Sequence, residues 1–243
     1  MADFEDNLKR VTVVTGGFGS GKSEFSINLA LRLANRKSGS YTQEVALADL
    51  DIINAYFRSR EACDLMTAHG IKAVVPPQEI FHSDLPIYGP GIPHLLRRRQ
   101  DVRLIIDVGG DDLGATALSG LAAEIQASEH CVVMIVNTYR PYTRDVPGIC
   151  RMCKDIEHKS RMQVDALISN PNLGPSTTPE AVIKGHHLVE TAAAKLGRPV
   201  LALTVLRKFL ELWKDKLVVP ERVPIFPIDI YLSPEWLQRP YSG

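Results

Sequence analysis

Short apolar runs recur along the chain at intervals that a helix would fill. They are Val11–Thr15, Val45–Ala48, Ile71–Val75, Val102–Ile106, Cys131–Val136, Val164–Ile168 and Val200–Leu203. Most are continuous rather than alternating, the pattern of strands covered on both faces. The stretches between them carry helix signals. Thr178-Pro179-Glu180 reads as a cap, a first-turn proline and an acid at the positive end of the dipole. Val182, Ile183, Val189, Ala193 and Leu196 form an apolar stripe, closed by Gly197 and Pro199. Asp111 and Asp112 open another helix, with Leu118, Leu121, Ala122 and Ile125 on its buried face. Strand alternating with helix predicts an α/β fold, a mostly parallel sheet of about seven strands with helices on both faces. Residues 76–93 hold five prolines and read as a long, lid-like loop. No linker divides the 243 residues, so a single domain is expected.

Composition narrows the function classes. Lys plus Arg and Asp plus Glu both total 28, which lacks the basic excess of a nucleic-acid or membrane-surface binder. The apolar runs are too short to span a bilayer, and the acidic amino terminus lacks a signal pattern. Four cysteines are too few for a disulfide framework. The expectation is a soluble, cytoplasmic protein.

One motif carries specific chemistry. Gly16-Gly17-Phe18-Gly19-Ser20-Gly21-Lys22-Ser23 matches G-x-x-x-x-G-K-[ST] in full, between a predicted strand and a predicted helix. Glycines let backbone amides turn inward as an anion nest at a helix N-terminus. Lys22 would reach the β and γ phosphates, and the Ser23 hydroxyl would face Mg²⁺. Such a loop needs acids at neighbouring strand ends. Asp107 closes Val102–Ile106 and leads into Val108-Gly109-Gly110, while Asp49 and Asp51 follow Val45–Ala48. Asp49 and Asp107 are read as metal-shell acids, and Asp51 as the group that orients the attacking water.

Strand, phosphate loop, D-x-D and D-x-G-G together resemble the CobQ/CobB/MinD/ParA-type nucleotide-binding domains, of the SIMIBI class of P-loop proteins. The resemblance spans roughly residues 9–205. It implies a three-layer P-loop NTPase fold, with ATP and Mg²⁺ as cofactors. It places phosphate binding on Gly16 to Ser23, with Lys22 and Asp51 catalytic and Ser23, Asp49 and Asp107 at the metal. The chain departs from the MinD and ParA members at Gly17, where they carry a second lysine. It has no room for the glutamine-hydrolysing domain of the CobQ and CobB amidoligases.

Asn170, in Ser169-Asn170-Pro171-Asn172-Leu173, stands where GTPases read N-K-x-D, with Leu173 in place of the guanine-selecting acid. Asn170 resembles the adenine-contacting asparagine of MinD-like proteins, and its alternative is a turn-forming residue before proline. ATP is therefore expected over GTP. Cys150 and Cys153 make a lone C-x-x-C, read as core in preference to metal. Arg58 or Arg60 could neutralise transition-state charge or grip an acidic partner, the alternative being a solvated helix terminus. The function expected is a Mg²⁺-dependent ATPase switching a partner protein, with a homodimer compatible. The alternative is an enzyme similar to dethiobiotin synthetase, using ATP to activate a small carboxylate.

Overall fold

The computed structural model describes residues 4–36, 44–50, 60–74, 91–98, 101–110, 112–213 and 223–232. Its strands are β1 (Val11–Thr15), β2 (Glu44–Asp49), β3 (Ile71–Val74), β4 (Val102–Asp107), β5 (His130–Val136), β6 (Ala166–Ser169), β7 (Val200–Leu206) and β8 (Ile225–Ile228). They form one parallel sheet in the order β3-β2-β4-β1-β5-β6-β7-β8. The helices are α1 (Lys22–Asn35), α2 (Arg60–Ala68), α3 (Gly91–Arg98), α4 (Asp112–Gln126), α5 (Val146–Ser160), α6 (Pro179–Leu196) and α7 (Arg207–Leu212).

The continuous apolar runs have a direct cause. On β5, Val132, Met134 and Val136 enter one core with α3, α4, α5 and α6. Cys131, Val133 and Ile135 enter a second core on the opposite face, with α1 and Met66 of α2. A strand whose two faces are both buried has no polar positions to alternate with. The expected face of α4 is inside, with Leu118, Leu121 and Ile125 fully buried. The Thr178 hydroxyl accepts from the Ala181 amide at 3.2 Å, and Gly197 ends α6 at φ +67°.

Three differences from expectation stand out, and the first two have a physical reason. An eighth strand, β8, pairs with β7 although Pro227 interrupts its sequence; it is the outer strand, where a missing amide is tolerated. Residues 91–93, expected in the loop, form the first turn of α3, where Pro93 lacks only an amide that has no partner in the helix. The rest of that loop, residues 76–90, lies outside the described residues. Finally, β6 starts at Ala166 rather than Val164. Among the described residues no helix is long and apolar enough to cross a membrane.

Close packing near the strand ends gives a stability prediction. A Cβ on Gly185 of α6 would lie 2.5 Å from Pro171 and would also strike the Thr138 hydroxyl. Gly185→Ala should cost about 1–3 kcal/mol by overpacking. Chemical denaturation should show a lower midpoint with an unchanged slope.

Candidate functional site

The carboxyl end of β1 lies between β4 and β5, and the chain leaves it directly into the glycine-rich loop. A Cβ on Gly16 would come within 2.5 Å of the Ile135 carbonyl, so the loop begins pressed against β5. Gly19 (φ +68°) and Gly21 (φ +93°) adopt left-handed backbone, which side chains disfavour. Gly21 caps α1 without any side-chain hydrogen bond. The first amides of α1 therefore point outward with no side-chain acceptor at the cap, the arrangement that attracts an anion. Lys22 is buried, and its Nζ donates to the Gly17 carbonyl at 3.0 Å.

Asn170 is buried at the end of β6. Its Nδ2 donates to the Ser20 carbonyl at 2.7 Å, and its Oδ1 accepts from the Thr204 hydroxyl of β7 at 2.5 Å. Each end of the amide thus has one partner inside the protein, the contact expected of the turn-building alternative, and each keeps one further N–H or lone pair. A Cβ at Gly21 would strike the same Nδ2, so the glycine is what admits this contact. Leu173 is partly exposed and brings no acid to the base side.

Asp49 and Asp107 are register partners at the ends of β2 and β4, and each is 1% exposed. Ser26 Oγ donates to Asp107 Oδ1 at 3.2 Å, so α1 helps to orient that carboxylate. Ser23 lies half-buried in the first turn of the same helix. Among the described residues no group of three or more His, Cys, Asp or Glu forms a self-sufficient metal site. Two carboxylates and a hydroxyl beside a phosphate nest suit Mg²⁺, which takes a few protein oxygens and completes its shell with phosphate and water. Gly110 closes the site. A Cβ there would lie 2.7 Å from Lys22 Nζ and 2.8 Å from the Phe18 amide. Asp51 and Arg58 lie outside the described residues.

Solved structures share this architecture. FtsY from Thermotoga maritima, a cell division protein, aligns with a TM-score of 0.54 and 18% identity over 80% of this chain and 61% of its own. Chloroplast FtsY from Physcomitrella patens aligns at 0.53 and 14%, over 79% of this chain and 57% of its own. The signal recognition particle receptor FtsY from Elizabethkingia anophelis, in complex with GDP, aligns at 0.50 and 19%, over 80% and 57%. This is a P-loop NTPase fold. At 14–19% identity these likenesses show the fold alone and do not single out the CobQ/CobB/MinD/ParA type. The chain spans 57–61% of the length of those three structures. No family model matches the sequence. No curated protein matches it either.

Within the P-loop fold, three participants escape sequence reading. Ser26 reaches Asp107, Thr204 reaches Asn170, and Arg140 Nε donates to the Gly19 carbonyl at 2.8 Å. None belongs to a motif, and each contact depends on which strand ends are neighbours. Cys153 is fully buried in the core, and burial pushes its thiol up to about 11, as expected of a packing residue. His186 is buried in α6, where loss of hydration holds its pKa below the usual histidine value.

The two roles of Asn170 separate by experiment. Asn170→Ala should destabilise the fold by about 1–3 kcal/mol, because the Ser20 carbonyl and Thr204 hydroxyl lose their partner. The ratio of ATP to GTP affinity in competition binding should stay at the wild-type value; a selective loss of ATP would restore the base-reading role.

Proposed function

We propose that the chain binds a nucleoside triphosphate with Mg²⁺ at this loop and hydrolyses it as a switch acting on a partner protein. The observation that carries the reading is the uncapped start of α1 at Gly21-Lys22, set beside the paired carboxylates of Asp49 and Asp107. The nest amides and Lys22 bind the β and γ phosphates. Ser23, Asp49 and Asp107 hold the cation, which when bound would screen charge on the terminal phosphates. Asp51 orients water for attack.

The switch element follows from Gly110. Lys22 Nζ donates to the Gly17 carbonyl and lies against the bare Cα of Gly110. A γ-phosphate draws the ammonium toward itself, and the Gly109-Gly110 turn then closes on that phosphate. Hydrolysis removes the attraction and releases the turn. A partner that senses this turn would read the state of the nucleotide.

Base choice is proposed to be weak. The expectation of ATP rested on Asn170 and on the missing acid at Leu173. Asn170 has its amide engaged, while the Elizabethkingia neighbour was solved with GDP. With Asn170 tied to the loop and no acid at Leu173, ATP and GTP affinities should differ by less than about tenfold. Competition binding checks this, and a much larger preference would reveal a base-reading group elsewhere.

Hydrolysis itself is tested by steady-state phosphate release from wild type and Asp51→Ala, each alone and with small carboxylic acids. Slow release by the wild type alone, lost in Asp51→Ala while nucleotide still binds, is the expected result. Release that appears only with an added acid would overturn the switch in favour of carboxylate activation.

A further inference from the structure

We infer that Arg140 contacts the terminal phosphates of the bound nucleotide, supplying from the same chain a second positive charge at the loop. This rests on the triphosphate reading above and extends it to a residue outside every motif.

The loop after β5 fixes Arg140 firmly. The Arg140 amide donates to the Asn137 carbonyl at 3.2 Å, and its carbonyl accepts from the Thr143 amide at 3.1 Å. Asn137 is buried, and its Oδ1 accepts from the amides of Tyr139 at 3.0 Å and Asn172 at 3.2 Å. Its Nδ2 donates to the Asn172 carbonyl at 3.0 Å. A side chain carried on so well-tied a backbone is aimed in advance.

The guanidinium lies along the phosphate loop. Besides the hydrogen bond from Nε to Gly19, a Cβ on Gly19 would sit 3.0 Å from Nε, 3.1 Å from Cζ and 3.4 Å from Nη2. The planar group therefore packs over the bare Cα of Gly19, next to Ser20, whose amide donates to the Gly17 carbonyl at 3.2 Å and so closes the loop. Arginine has five N–H donors, and the Gly19 carbonyl takes one. The side chain is exposed, and among the described residues no carboxylate pairs with it. An unneutralised guanidinium, tethered by a neutral carbonyl beside an anion nest, suits bidentate capture of phosphate oxygens.

The loop itself carries no second cation, for Gly17 stands at the position where MinD and ParA members have their second lysine. A Cβ at Gly17 would lie 3.2 Å from the Met152 methyl, the flexible end of a side chain on α5. Arg140 approaches from the β5 side at Gly19 instead. Lys22 and Arg140 would then grip the phosphates from two directions.

The rival role is mechanical: Arg140 pins Gly19 and touches no ligand. Arg140→Gln retains an amide donor for the Gly19 carbonyl and removes the charge, whereas Arg140→Lys retains charge and loses the fork. Calorimetric affinities for Mg-triphosphate, diphosphate and monophosphate, measured at two salt concentrations, separate the roles. The expected result for Arg140→Gln is a roughly tenfold loss for the triphosphate, a smaller loss for the diphosphate and almost none for the monophosphate. Its thermal midpoint should stay at the wild-type value, its salt dependence should be shallower, and Arg140→Lys should recover part of the loss. Equal losses for all three nucleotides, or a wild-type ratio of triphosphate to diphosphate affinity, would overturn the assignment while leaving the triphosphate reading standing. A wild-type protein that binds none of the three would overturn both.

Discussion

A backbone nest attracts an anion only if its amides already point inward before the ligand arrives, and here Asn170 is one of the side chains that hold the loop. Asn170 holds the Ser20 carbonyl from the end of β6 and is itself held by Thr204 of β7. The loop is thereby fixed from the β6–β7 side, while Gly16 abuts β5 and Gly110 closes from β4. Left-handed backbone at Gly19 and Gly21 is unfavourable for most residues, and glycine removes that penalty. The Asn170 contact ties the loop, in this form, to the end of β6. Such preorganisation lowers the ordering cost of binding, which would otherwise subtract from affinity.

The parallel sheet makes that convergence possible. With β1 central and every described strand running the same way, the carboxyl ends of β2, β4, β5, β6 and β7 open on one edge. Asp49, Asp107, Arg140, Asn170 and Thr204 sit at or just beyond those ends. Residues separated by 150 positions, such as Ser20 and Asn170, become hydrogen-bonding neighbours. Buried acids side by side are unfavourable unless something offsets their repulsion. In the proposed function, a bound cation would supply such an offset between Asp49 and Asp107.

What could be read from sequence was what is contiguous. The loop from Gly16 to Ser23 is one unbroken motif, and each apolar run matched a strand because both faces of the sheet are covered. The strand β8 escaped because Pro227 weakens its local signal, and only its outer position tolerates it. Asn170 was located correctly as a residue at a strand end beside the site. Whether its amide faced a base or the loop depended on the three-dimensional placement of Ser20 and Thr204, which no local pattern encodes. Arg140 and Ser26 were invisible for the same reason: their partners, Gly19 and Asp107, are brought to them by strand order.

The claim beneath all of this is that the loop is a triphosphate cradle whose binding energy depends on Lys22. Calorimetric titration of a Mg-nucleoside triphosphate into wild type and Lys22→Ala addresses it most directly. Saturable one-to-one binding by the wild type, weakened at least about tenfold in Lys22→Ala, or about 1.4 kcal/mol, is the predicted result. Equal affinity in the two proteins, or no binding by the wild type, would contradict it.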